Sequence, residues 1–216
     1  MRKFTISTAV AFLSLCLVVP ALAKMPGQIG VRAGVNLSAF GGEFGDAIDP
    51  DNRVAPNVAL VWEYPFAPKL SFHGELGYSG KGGSLKAEGT DPFGNPTQIG
   101  TIDWHFDYLE LPLLFRGRFG SVGKVVPFFE LGPSIGFALA GKIESGPNLF
   151  GTHDVRDDMK TVDLGWAAGA GLEIPAGPGR IGVEARFTRG FSDLWDFDDN
   201  YATINQAWTF ALSYSR

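Results

Sequence analysis

Val162-Asp163-Leu164-Gly165-Trp166-Ala167-Ala168-Gly169-Ala170-Gly171-Leu172-Glu173-Ile174 is followed, after Pro175–Gly179, by Arg180-Ile181-Gly182-Val183-Glu184-Ala185-Arg186-Phe187-Thr188. Val162, Leu164, Trp166, Ala168, Ala170, Leu172 and Ile174 fall on one parity, and Asp163, Gly165, Gly169, Gly171 and Glu173 on the other. Side chains of a strand alternate between faces, so this is period two. The second segment repeats it, with Ile181, Val183, Ala185 and Phe187 opposing Arg180, Gly182, Glu184, Arg186 and Thr188. A soluble calyx would need a polar outer face and an apolar inner one. Here a continuous apolar row is backed by glycine, glutamate and arginine, which suits lipid outside and a crowded polar lumen inside.

The same rhythm extends in both directions. Towards the N-terminus, Val125, Phe129, Leu131, Ile135, Phe137 and Leu139 alternate with Glu130, Gly132, Ser134, Gly136 and Ala138. Leu70, Phe72, Leu76 and Tyr78 alternate with Ser71, His73, Glu75, Gly77 and Ser79. Val54, Val58, Leu60, Trp62 and Tyr64 mark a less regular strand, and Val31, Ala33, Val35, Leu37 and Ala39 a clean one. The last strand carries Ile204, Trp208, Phe210, Leu212 and Tyr214. With a segment from about Thr101 to Phe119 the total is eight. Each reaches the roughly 9–11 residues a tilted strand needs to cross a bilayer. An even strand number is what a single-chain bacterial barrel requires.

The intervals run long, short, long, short. Pro65–Pro68, Gly120–Gly123 and Pro175–Gly179 are short, whereas Gly80 to about Gly100, Gly141–Met159 and Arg189–Asn200 are long. The expectation is an all-β, eight-stranded antiparallel up-and-down transmembrane barrel. Short periplasmic turns and long extracellular loops would connect the strands, with both termini in the periplasm. Two features cut across this pattern. In the fourth strand Trp104, Phe106 and Tyr108 are even but Leu109, Leu111, Leu113 and Phe115 odd, so either a bulge lies near Tyr108 or the upper half stands above the membrane. Pro112, Pro127 and Pro133 fall inside strands without an N–H to donate, which bulges or strand ends would absorb.

Arg2-Lys3, the apolar run Phe4–Val19 and Ala21-Leu22-Ala23 have the layout of a secretory signal cleaved after Ala23, leaving 24–216 as the barrel domain. Cys16, the only cysteine, would leave with it, so neither disulfide nor thiolate chemistry is expected. No later segment offers ~18 continuous apolar residues, so any crossing is by closed strands. The 29 glycines and 13% aromatic content fit turns, a crowded lumen and interfacial girdles. Removing the signal's two cations leaves 16 basic against 23 acidic residues, near −7, which argues against a nucleic-acid partner.

Several blocks carry a family resemblance. They are Gly30-Val31-Arg32-Ala33-Gly34-Val35-Asn36-Leu37-Ser38, Tyr108-Leu109-Glu110-Leu111-Pro112-Leu113-Leu114, Phe129-Glu130-Leu131-Gly132-Pro133-Ser134-Ile135-Gly136, Gly169-Ala170-Gly171-Leu172-Glu173 and Gly182-Val183-Glu184-Ala185-Arg186-Phe187. From about Ile29 to Ser215 the chain resembles the PorT-type family of small outer-membrane β-barrel proteins, and the tyrosine–leucine–acid–aliphatic–proline–leucine block is the most specific part. The resemblance implies an eight-stranded outer-membrane barrel with no assigned activity. Many such barrels end on an aromatic residue read by the insertion machinery. This chain ends Tyr214-Ser215-Arg216, with Trp208, Phe210, Leu212 and Tyr214 as an alternating row behind it.

By phase, the inward set is Arg32, Asn36, His73, Glu75, Glu130, Glu173, Glu184 and Arg186, joined by Glu110 and Arg116 if the lower fourth strand keeps its parity. Eight strands enclose just enough room for side chains. Buried charges there must pair, because an isolated one costs several kcal/mol. A salt-bridged plug is the expectation, and a proton or small-solute path the functional alternative. Trp62, Tyr64, Tyr78, Trp104, Tyr108, Trp166, Phe191, Trp195, Trp208 and Tyr214 are candidates for an aromatic girdle or loop lid, with Phe197 and Tyr201 nearby in the fourth loop.

Catalytic and metal-binding patterns are weak. Ser71, His73 and Glu75 share a face, but positions two apart lie roughly 6.5–7 Å apart at the backbone, long for a direct hydrogen bond. Asp103, His105 and Asp107 share one face near the extracellular end. His153, Asp154, Asp157 and Asp158 lie in the third loop, and Asp193, Asp196, Asp198 and Asp199 in the fourth, without the spacing of a 12-residue calcium loop. No cofactor or metal is expected. The reading is a non-catalytic outer-membrane barrel with a structural or interaction role. The alternatives are a small-solute porin and a lipid- or peptide-modifying enzyme. Expected partners are outer-membrane lipids, lipopolysaccharide, the barrel-insertion machinery and an extracellular or periplasmic protein of unknown identity.

Overall fold

The computed structural model describes residues 27–48, 50–90, 95–120, 125–145, 151–196 and 202–216. The expected signal with Cys16, and Phe197, Asp198, Asp199 and Tyr201, lie outside the described residues. The elements are β1 (Gln28–Gly41), α1 (Gly42–Ile48), β2 (Asp51–Ala67), β3 (Leu70–Thr90), β4 (Pro96–Arg118) and β5 (Val126–Ser145). They continue with β6 (Thr152–Asp154), a 3-10 turn (Arg156–Asp158), β7 (Val162–Ala176), β8 (Gly179–Gly190) and β9 (Ile204–Ser215). Every pairing is antiparallel. Neighbours in sequence pair, β5 skips the short β6 to reach β7, and β9 returns to β1 with Val35 opposite Phe210 and Leu37 opposite Trp208. Eight strands therefore close into a barrel, and β6 adds three rungs to the upper end of β5. Closure leaves the spanning part without an open edge, as lipid demands.

Strand parity sets the two faces. Outward Phe115, Val183 and Leu212 are each more than half exposed, whereas inward Arg186, Glu130 and Ser71 are almost fully buried. A two-residue turn joins β2 to β3. A second one joins β7 to β8 and holds Gly177 at φ 60, a left-handed conformation that favours glycine. In outer-membrane barrels such tight turns lie on the periplasmic side.

The opposite end departs from expectation. The interval from Gly80 to about Gly100 is mostly strand, because β3 runs on to Thr90 and β4 begins at Pro96. The hairpin keeps pairing as far as Thr90 opposite Pro96, with one register shift after Ala87. Likewise β5 continues to Ser145, and the third connection contains β6 and the 3-10 turn.

The phase shift in β4 also has a different origin from a bulge in that strand. Even residues of β4 face inward throughout, from Trp104 and Phe106 to Leu114 and Arg116. What changes is the surroundings: low in the strand leucines meet lipid on the odd face, and high in the strand aromatics pack on the even, interior face. The irregularity sits on the neighbouring strand, where Asp107 pairs with Ala140 but Tyr108 with Ala138, leaving Leu139 as an extra residue in β5. This flips the parity of upper β5. Ile143 packs against the interior cluster, while Lys142 and Glu144 are exposed.

The prolines interrupt pairing without moving it. Between Gly74–Leu113 and Gly77–Glu110 the β3–β4 ladder has a gap at Pro112. The β4–β5 ladder has one between Pro112–Ser134 and Phe115–Leu131, at Pro133, with register conserved across both gaps. Pro127 is the second residue of β5, and its carbonyl accepts from the Phe119 amide at 2.8 Å.

Candidate functional site: the layered barrel interior

The interior is stratified along the barrel axis. Its lowest layer is a network of arginines and glutamates from seven of the eight barrel strands. Arg186 on β8 donates from Nη1 and Nη2 to the two oxygens of Glu75, at 2.9 and 2.6 Å, and from Nε to Glu130 at 2.8 Å. It also lies 3.0 Å from Glu184. Arg116 on β4 donates to Glu130 Oε2 from Nε at 2.9 Å and Nη2 at 2.7 Å, and to Glu173 at 3.1 Å. Arg32 on β1 joins Glu75 at 2.9 Å, Glu184 at 3.2 Å and the Asn57 amide oxygen at 2.9 Å. These fork geometries match guanidinium donors to carboxylate oxygens, as buried arginine pairs require.

Space for this layer is made by small residues. A Cβ on Gly171 would come within 2.6 Å of the Phe128 ring. That ring in turn lies 4.3 Å from the Arg116 guanidinium carbon, so glycine admits an aromatic that covers the cation. His73 sits in the same layer. Its Nε2 is 2.9 Å from Glu75 and 3.2 Å from Arg116 Nη2, and its Nδ1 is 3.7 Å from Glu63. The backbone spacing of positions 73 and 75 therefore does not keep the side chains apart, because both lean along the strand. Ser71 instead accepts from Arg118 at 3.0 Å.

Above the charges lies a mostly neutral layer. The Asn36 amide donates to Ser79 Oγ at 2.9 Å and the Gly80 carbonyl at 2.8 Å, and Thr209 donates to Asn36 at 2.7 Å. Glu110 belongs with this level and not with the arginines: it pairs with buried Lys81 at 2.5 Å. Lys81 also lies 3.9 Å from Asp163 and 5.1 Å from the Tyr108 ring centre. The Asn205 amide donates to both Tyr108 Oη and Asp163 at 2.9 Å. The space left between Arg32, Asn57, Glu75 and Glu110 is about 10 Å³, roughly one water molecule.

The top layer is apolar. Phe40, Trp104, Phe106, Tyr108, Ala138, Met159 and Leu194 form one buried cluster, against which Phe44, Ile48, Leu85, Ile102, Ile143, Val155 and Trp195 pack. Trp104 and Tyr108 are thus corrected from girdle positions to interior ones. They are inward-facing on β4, where packing into the interior cluster removes their apolar surface from water. Trp195 lies edge-on to Phe106 at 6.1 Å between centroids, as part of a lid. The third and fourth connections are stitched together over the cluster, with Lys160 N donating to Leu194 O and Asp196 N to Asp158 O at 2.9 Å each.

Other aromatics face outward. Trp62 stacks on Tyr64 at 6.2 Å, towards the turn end, with Tyr214 also near that end. Trp166, Phe187 and Trp208 form a row at 5.7 and 5.2 Å near the loop end, and Phe191 is strongly exposed. Tyr78 donates to Asp107 at 2.5 Å, its ring on the lipid side and its hydroxyl reaching up to the first outward carboxylate. His105 lies 3.9 Å from Glu144 on the outer surface. Asp193 accepts from the Thr203 amide at 3.1 Å, and Asp154 from the Arg156 amide at 3.0 Å. Among the described residues no three acidic, histidine or cysteine side chains converge as a metal site.

Sequence reasoning missed Glu63, Arg118 and Lys81. Glu63 shares parity with buried Asn57, and Arg118 with Arg116, so strict alternation carried to the strand ends would have found both. Lys81 follows Ser79 by two positions, hidden because the strand was ended at Gly80.

A family model for the outer membrane protein beta-barrel domain matches residues 26–196. The chain belongs to that family. The match covers β1 through β8, and β9 completes the cylinder. Membership in the outer membrane protein beta-barrel domain family implies location in the outer membrane. Among solved structures, the chain is similar to neisserial surface protein A, at 10% identity over 88% of this chain and 97% of that one, with a TM-score of 0.49. It is also similar to Ail, the attachment invasion locus protein of Yersinia pestis, at 16% identity over 89% and 100%, with a TM-score of 0.44. OprG from Pseudomonas aeruginosa follows at 12% identity over 88% and 96%, with a TM-score of 0.39. No curated protein matches the chain in sequence.

Proposed function

We propose that this barrel is a sealed, non-catalytic protein of the outer membrane with a structural and interaction role in the cell envelope. Export through a signal cleaved after Ala23, insertion by the barrel-assembly machinery and contact with lipopolysaccharide belong to the same reading, as does the narrower PorT-type kinship. The observation that carries it is the double closure of the interior. Arg32, Arg116 and Arg186 are cross-linked to Glu75, Glu130, Glu173 and Glu184 across the lumen. An apolar cluster then caps that layer from the extracellular side. Solute would have to displace several buried ion pairs and then cross a dry layer. Planar-bilayer recording of the purified protein is expected to show no reproducible stepwise current, and a reproducible open state would overturn the reading.

A further inference from the structure

The two ends of the interior are closed differently. The extracellular end has its apolar cap, but at the turn end a cavity of about 110 Å³ opens among Gln28, Glu63, Lys69, Arg118 and Arg180. Three cations and one carboxylate line it. The carboxylate is already committed, since Glu63 meets Arg118 at 2.6 Å and Arg116 at 3.4 Å. Glu173 behind it accepts from Arg116, Arg118 and Arg180 at 3.1, 2.9 and 3.2 Å. Arg118 spends its donors on Glu63, Glu173 and Ser71. Among the described residues Arg180 engages only Nη1 and Lys69 makes no ion pair, and the Arg180 side chain is 26% exposed. Among the described residues, the five glutamates of the charged layer are matched by five arginines, which leaves Lys69 as a surplus cation at the mouth.

We propose that this vestibule binds a carboxylate presented from the periplasm, with Lys69 Nζ and the unengaged nitrogens of Arg180 as cationic donors and the Gln28 amide as a neutral one. Its size admits a single acid group and its neighbouring atoms, so the ligand is either the end of a peptide chain or a small free acid. The site is independent of the seal, since a conducting barrel would keep the same mouth.

The test uses the mature protein in lipid nanodiscs, with ¹⁵N-detected side-chain signals of Arg180 and Gln28. Acetate, N-acetyl-D-alanyl-D-alanine and inorganic phosphate are titrated separately. Saturable shifts with acetate and the peptide are expected. Lys69→Gln, in an exposed turn where folding is not at issue, is expected to weaken them about fivefold, the scale of one solvent-exposed ion pair. Arg180→Gln is expected to do so at least as strongly. A peptide binding about tenfold tighter than acetate assigns the site to a chain end, and equal binding assigns it to small acids. Phosphate binding more tightly than both carboxylates, no saturable shift with either carboxylate, or Lys69→Gln binding like the wild type would each overturn the proposal.

Discussion

Arg186 shows what a single buried charge commits its neighbours to. It grips both oxygens of Glu75 and one of Glu130, all nearly without solvent. Breaking such a pair from one side leaves an uncompensated buried charge and costs about 3–5 kcal/mol, whereas removing both partners costs far less. Arg186→Gln is therefore expected to lower stability by that amount in urea unfolding from lipid vesicles. The double variant Arg186→Gln with Glu75→Gln is expected to be no less stable than the single one, because the pair is not additive. At the top of the barrel the balance shifts from charge to packing. Phe106→Ala removes a fully buried ring and is expected to cost about 3–5 kcal/mol. Tyr108→Phe loses one hydrogen bond from Asn205, which Asp163 still accepts, and is expected to cost about 1 kcal/mol. The arginines and glutamates were legible from parity alone, because a charge on the glycine-rich face of an amphipathic strand has nowhere to go but inward. Trp104 and Tyr108 were misread for the converse reason: an aromatic states that it avoids water, but not whether lipid or a protein interior takes it in.

At the scale of the element, the bulge at Leu139 connects two differently built halves. Below it β5 presents Glu130 and Ser134 to the lumen; above it β5 presents Ile143 to the apolar cluster and Lys142 and Glu144 to solvent. Because side chains alternate, adding one residue exchanges every face beyond that point. Inserting one alanine after Ala140 is expected to turn Lys142 inward and Ile143 outward and so unpack the third connection from the cap. Limited proteolysis would then cut between β5 and β7 at enzyme concentrations that leave the wild type intact, while the charged layer below stays folded. Resistance equal to wild type would mean that the facing of upper β5 does not hold the cap. The strand ends were the hardest part to read in advance. Upper β3 and β4 are rich in glycine and polar residues, a composition that marks loops when a strand has lipid on one side. Their pairing is held by the hairpin itself and by the apolar residues Leu85, Ile102 and Trp104 beneath it, contacts that a local reading of sequence does not contain.

For the whole molecule, the interior layers act in series, and this has a consequence that neither layer has alone. Water continuity along the lumen requires a breach of the apolar cap and of the arginine–glutamate layer together. Trp104→Ala with Phe106→Ala opens the cap, but Arg116, Arg186 and their carboxylates still fill the cross-section below it. Replacing Arg186 and Glu130 by alanine thins the charged layer, but the cap, with Phe40, Met159 and Leu194 in place, stays dry. Planar-bilayer recording of the two double variants is expected to be as silent as that expected of the wild type. The quadruple variant, checked by circular dichroism for retained strand content, is expected to show stepwise conductance that grows with salt. Current from the cap variant alone would mean that the charged layer is wet enough to pass ions, and would move the seal entirely to the extracellular end. Silence in a folded quadruple variant would mean instead that the neutral level around Asn36, Ser79 and Thr209 closes the lumen by its own hydrogen bonds. Either result assigns the barrier to a named layer and to the residues that build it.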